Sequence, residues 1–109
     1  MTTGPSKIIM TAGQVGADID GVVSSDPEEQ ARLAFSNLKT CLEAAGASVH
    51  DIMKLTYYSV NYDHTKRPHT RPLMEFLDGH RPAITSIPVV ALARPEYLFE
   101  VEATAAVPL

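Results

Sequence analysis

What this 109-residue chain has least of bounds it first. Its single cysteine, Cys41, allows neither a disulfide framework nor a thiolate metal site. Nine Lys and Arg stand against thirteen Asp and Glu, a formal net charge of −4, whereas a nucleic-acid surface needs clustered cations to neutralise phosphates. The nearest approach to a cluster is Lys66, Arg67 and Arg71 with His64 and His69 nearby, a run short enough to read as a solvated helix face. No nucleic-acid partner is expected. No apolar run approaches membrane-spanning length and no signal-peptide core opens the chain, so a cytoplasmic protein without a membrane partner is expected. His50, His64, His69 and His80 lack metal-ligand spacing, and a proline between His64 and His69 spoils any shared helical face. Surface positions are expected for the histidines, and no metal or other cofactor.

What is present is one domain, 1–109, with 45% hydrophobic residues and neither linker nor internal repeat. Ser6 to Gly13, SKIIMTAG, reads as a strand stopped by glycine, and Asp18 to Gly21 as a turn. Asp26 is a good N-cap, Pro27 fits the first helical position, and Glu29 completes a capping-box pattern. Ala31, Ala34, Phe35, Leu38, Cys41, Leu42 and Ala45 then recur at the spacing of one buried helical face, and Gly46 stops the helix. Met53 to Val60 is β-branched and aromatic enough for a strand, with the adjacent Tyr57 and Tyr58 facing opposite ways. A second helix ends near Asp78 and Gly79, and Pro72 either starts it or kinks it. Two strands follow, Ile84 to Leu92 and Tyr97 to Val107.

Alternation on the last strand puts Phe99, Val101, Ala103, Ala105 and Val107 on one face and Glu100, Glu102 and Thr104 on the other. Strands alternating with amphipathic helices predict a layered α/β (α+β) domain with a mixed sheet. Two helices cover one face of that sheet. The acidic face then needs a partner, most simply a second copy of the chain.

Four blocks carry a resemblance that spans nearly the whole chain: MTAGQVG, then NLKTCLEAAGASVHDIMKLTYYSVNYD, then GHRPAITSIPVVALA, then FEVEATAAV. The chain resembles the RidA/YjgF family of reactive-intermediate deaminases. The resemblance implies a chorismate-mutase-like fold, two helices on one face of a mixed sheet, and a barrel-like homotrimer with clefts between subunits. It implies hydrolysis of 2-imino or 2-enamino acids to 2-keto acids and ammonia, with no cofactor. It assigns Glu102 to the attacking water, Gly13 to presenting its backbone N–H, and Ser86 to a small polar position in the cleft wall, as a catalytic residue that with Gly13 would donate hydrogen bonds to the developing oxyanion or amine. Glu100 reads as an interface or solvent residue.

The departures shape the functional expectation. Deaminating relatives carry an arginine after Pro-Ala, whose guanidinium pairs with the substrate carboxylate. Here that position is Ile84, which offers neither charge nor donor. Ala12 stands where the family has a serine before glycine. Only Met1 to Pro5 precede the first readable strand, so the family's opening strand and its cleft tyrosine are expected to be missing. Arg81, on the turn before Ile84, is a candidate substitute anchor, with His80 beside it at the cleft edge. The expected function is hydrolysis or tautomerisation of an imine, enamine or related reactive small molecule, less anionic than a 2-imino acid. The alternative is a non-catalytic trimeric scaffold that binds a metabolite or a partner protein.

Overall fold

The clearest element forms where helix signals and apolar spacing agree. In a computed structural model describing residues 4–109, helix α1 spans Pro27–Ala44. The Asp26 carboxylate accepts from the Glu28 N–H, and Pro27 occupies a first-turn position where no N–H is needed. Glu29 does not close the expected capping box; it pairs with Arg32 on the surface. Ala31, Ala34, Phe35, Leu38 and Leu42 are buried, and Gly46, at φ +85°, ends the helix. Cys41, expected within the buried stripe, is instead half-exposed at its edge.

The strands are β1 (Ser6–Met10), β2 (Gln14–Val15), β3 (Ile52–Val60), β4 (Ala83–Val89) and β5 (Phe99–Pro108). They form one sheet in the order β1-β5-β3-β4, with β2 also pairing along β5. Only β3 and β4 run parallel, joined across helix α2 (Thr70–Leu77). The single strand expected over Ser6 to Gly13 is thus two strands with a break. At the break Thr11 trades hydrogen bonds with Ala103: its N–H donates to the Ala103 carbonyl, and its hydroxyl accepts from the Ala103 N–H. Pro72 neither starts nor kinks α2. It is the third helical residue, in the first turn, where a missing N–H leaves no bond unmade. Residues 1–3 lie outside the described residues, and with them most of the segment on which the expectation of a missing opening strand rests.

Both helices pack on the same face, and α1, α2, β3 and β5 share one core with Leu38, Leu42, Leu55, Leu73 and Val101 in it. Phe35 packs against Phe76 and Phe99 in tilted pairs with ring centroids 5.0 and 5.4 Å apart. Two side-chain amides of α1 fix the parts that matter for the site. The Gln30 side chain is fully buried; it accepts from the Leu98 and Phe99 N–H groups at 2.6 and 3.2 Å and donates to the Ser24 and Glu96 carbonyls. It thereby anchors the start of β5, one residue before Glu100. Asn37 donates to the Val15 and Ala17 carbonyls, pinning β2 to the helix. Between them Gly16 lies so close to the helix that a Cβ there would sit 2.1 Å from the Gln30 carbonyl oxygen.

Candidate functional site

Register decides which side chains share the uncovered face of the sheet. Directly opposed residues lie on one face, so Lys54, Thr56 and Tyr58 of β3 stand beside Thr104, Glu102 and Glu100 of β5. Tyr57, on the other face, is buried in the core, as the alternation requires. The Tyr58 hydroxyl donates to Glu102 Oε1 at 2.6 Å, a charge-assisted bond. That bond, with burial and the charges of Glu102 and Glu100, pushes the tyrosine's pKa up.

Glu100 faces Gly13. The chain reaches this spot because β2 pairs with β5, Gln14 opposite Val101, immediately after the Thr11–Gly13 break. A Cβ on Gly13 would lie 2.3 Å from Glu100 Oε2, so only a glycine lets the carboxylate rest there undisturbed. Burial, and then the neighbouring Glu102 charge, raise the pKa of Glu100. The carboxylate beside Gly13 is therefore Glu100, where an interface or solvent residue was expected. Glu102, expected to hold the water, is occupied by Tyr58.

The remaining expected site residues fall elsewhere. Ile84 and Ser86 are opposite Leu55 and Tyr57, which puts both on the face away from Glu100 and Glu102. The helices do not cover β4, so both are exposed, Ile84 at 41%. Within one copy neither can line a cleft with either glutamate. His80 is drawn away: its Nε2 lies 2.8 Å from the Ile52 carbonyl and its ring packs edge-on against His50. Ile52 opens β3, six residues and roughly 20 Å of strand from Tyr58. Arg81 is exposed before β4 and forms no ion pair among the described residues. Ala12 is exposed, its carbonyl accepting from the Gln14 side chain at 3.3 Å. His69, expected at the surface, is 3% exposed inside the core.

Alternation placed the two glutamates on one face and the resemblance favoured Glu102, whereas the β2–β5 register brings Gly13 to Glu100, a pairing with no local signal in the sequence. The adjacent tyrosines were the available signal for Tyr58. Among the described residues no three His, Cys, Asp or Glu side chains are grouped as metal ligands, and no helix is long and apolar enough to cross a membrane.

Fold and cluster together define a class: a mixed-sheet domain backed by two helices, with paired carboxylates and a tyrosine on its uncovered face. A family model described as Endoribonuclease L-PSP matches residues 2–107. The chain belongs to this family, that of the RidA/YjgF proteins. The structure of YyfB from Yersinia pestis, of the conserved Rid protein family, superposes with a TM-score of 0.85 at 35% identity, covering 95% of this chain and 80% of that one. The RutC family protein PYRAB12510 of Pyrococcus abyssi is 31% identical over 101 residues, 91% of this chain and 78% of its own. The 2-iminobutanoate/2-iminopropanoate deaminase of Salmonella typhimurium is 40% identical over 53 residues, 48% of this chain and 41% of its own.

Proposed function

We propose that this protein is a homotrimeric hydrolase of imines or enamines, with Glu100 as its proton-handling group. The observation that carries this reading is the Glu100 carboxylate, partly desolvated and resting on Gly13, beside a second carboxylate held by Tyr58. A raised proton affinity makes Glu100 a stronger base than an exposed glutamate. It takes a proton from water as the water oxygen bonds to the imine carbon, the C=N electron pair moves to nitrogen, and Glu100 returns that proton to the nitrogen. The carbinolamine then passes its hydroxyl proton through Glu100 to nitrogen, and the C–N bond breaks. Water and imine give carbonyl compound and ammonia, and Glu100 ends as it began. Glu102 stays engaged by Tyr58 and keeps Glu100 basic through its charge.

The half of the cleft bearing Ile84 and Ser86 comes, on this reading, from a neighbouring copy. Exposed β4 and the exposed apolar Ile8 and Met10, at 55% and 77%, support such an assembly. Ile84 contributes no charge, so the favoured substrate lacks a carboxylate at that end. The activity in the family's description, an endoribonuclease, is not carried over: a face bearing Glu100 and Glu102 repels phosphates.

The test compares two imines generated in situ, 2-iminobutanoate and 2-iminobutanamide, which differ only in the carboxylate. Ammonia release is expected to be faster from the amide. Replacing Glu100 by Gln should lower it by about 10²–10⁴-fold, the usual weight of a general base. Faster release from the carboxylate would overturn the reading of Ile84. No acceleration of either over buffer would leave the non-catalytic scaffold, which Ile84 on its own favours.

A further inference from the structure

On the helix-covered face, away from Glu100, a cavity of ≈ 290 Å³ opens between the end of β3, the loop after it and the first turn of α1. Pro27, Ala31, Leu98 and Phe99 give it apolar walls, and Ser59 and His69 also line it. Ser59 and His69 are 7% and 3% exposed, yet among the described residues the Ser59 hydroxyl and His69 Nε2 have no hydrogen-bond partner. Folded proteins leave few buried polar atoms unpaired, and each one calls for a partner. The His69 ring packs against both Tyr57, 4.7 Å away, and Phe99, 5.8 Å away and stacked nearly parallel, and those two rings also meet each other at 5.5 Å. Neither residue is needed by the chemistry on the opposite face.

The character of the missing partner can be read from what surrounds it. Burial, with the Arg67 charge, lowers the pKa of His69, so the ring is neutral and offers one nitrogen rather than a cation. Ser59 can donate or accept. Asp63 and Lys66 both line the cavity, and both are exposed, so neither sign of charge dominates. Asp63 is already engaged by the Thr65 N–H and hydroxyl. A volume near the small end of ligand pockets excludes nucleotides and most cofactors.

We propose that this cavity is a second binding site, taking a small neutral molecule with an apolar body and a carboxamide or alcohol head that pairs with Ser59 and His69. It stands apart from the hydrolytic reading, on the other side of the sheet, and either can fail alone. The probes are three molecules with one carbon skeleton: isobutyramide, isobutyrate and isobutylammonium, titrated into the isotopically labelled full chain and followed by NMR. Isobutyramide is expected to shift the Ser59, Leu98 and Phe99 amides and the His69 ring saturably, leaving Gly13 and Glu100 unmoved. The two charged analogues should bind more weakly. Ser59→Ala and His69→Gln should each weaken the amide about fivefold or more, the effect of one lost hydrogen bond. Ser59→Ala removes one oxygen only and so reads the site even if His69→Gln fails to fold. Tighter binding of either charged analogue would overturn the neutral head. Unchanged binding to Ser59→Ala, or no movement of the His69 ring up to the solubility limit, would mean that water alone fills the site.

Discussion

Two glutamates two residues apart on one strand have different surroundings, and the difference lies in single contacts. Glu102 accepts from Tyr58, while Glu100 has Gly13 beneath it and the Glu102 charge beside it. Because folding raises the pKa of Glu100, the fold favours its protonated form. That contribution to stability is full below the unfolded glutamate value of about 4.3 and is lost as pH rises through the folded value. Glu100→Gln should therefore unfold at higher urea than the parent near pH 7, with the gap closing below about pH 4. The parent's hydrolytic rate should fall as pH drops through the same raised value, because the base becomes protonated. At this scale the sequence was only partly legible. Alternation paired the carboxylates, but choosing between them needed the contact with Gly13. Gly13→Ala tests that contact: its Cβ must push the Glu100 carboxylate aside, so activity should drop while amide dispersion in an NMR spectrum stays native.

Helix α1 was legible because N-cap, first-turn proline and apolar spacing agree, and each is a local property. The break between β1 and β2 was not. It depends on Thr11 taking its bonds from Ala103, 92 residues on, and no local signal in TAGQ announces that. Gln30 was hidden for a related reason. A glutamine among apolar helix positions reads as surface, yet its amide is fully buried and joins α1 to the loop before β5. Gln30→Met keeps much of the volume and removes the acceptor from the part-buried Leu98 N–H and the buried Phe99 N–H. Leaving the Phe99 N–H unpaired should cost about 1–3 kcal/mol, read from the shift in urea midpoint. Glu100 lies one residue beyond the second of those N–H groups, so the same variant should lose activity even under conditions where it remains folded.

At the scale of the whole molecule the difficulty is that one chain holds the two halves of the expected cleft on opposite faces of its sheet. Glu100 and Gly13 lie on the uncovered face; Ile84 and Ser86 project from the other face of the edge strand β4. The residue types were legible from the sequence, but their separation was not, since it follows from the parallel β3–β4 register. If neighbouring copies supply the two halves, the protein should sediment near three times its 11.8 kDa chain mass. A sharper test uses two chains that each lack one half of a carboxylate-binding cleft. Ile84→Arg combined with Glu100→Gln carries a carboxylate clamp but no base, while the parent carries the base but no clamp. Each alone should turn over 2-iminobutanoate slowly. Mixed by subunit exchange, they form some clefts with the guanidinium from one copy and Glu100 from the next. Release of ammonia should then rise about tenfold or more, the weight of roughly 1.4 kcal/mol from a paired guanidinium–carboxylate contact. If both halves met within one chain, mixing would add nothing, because no single chain in the mixture would hold both groups.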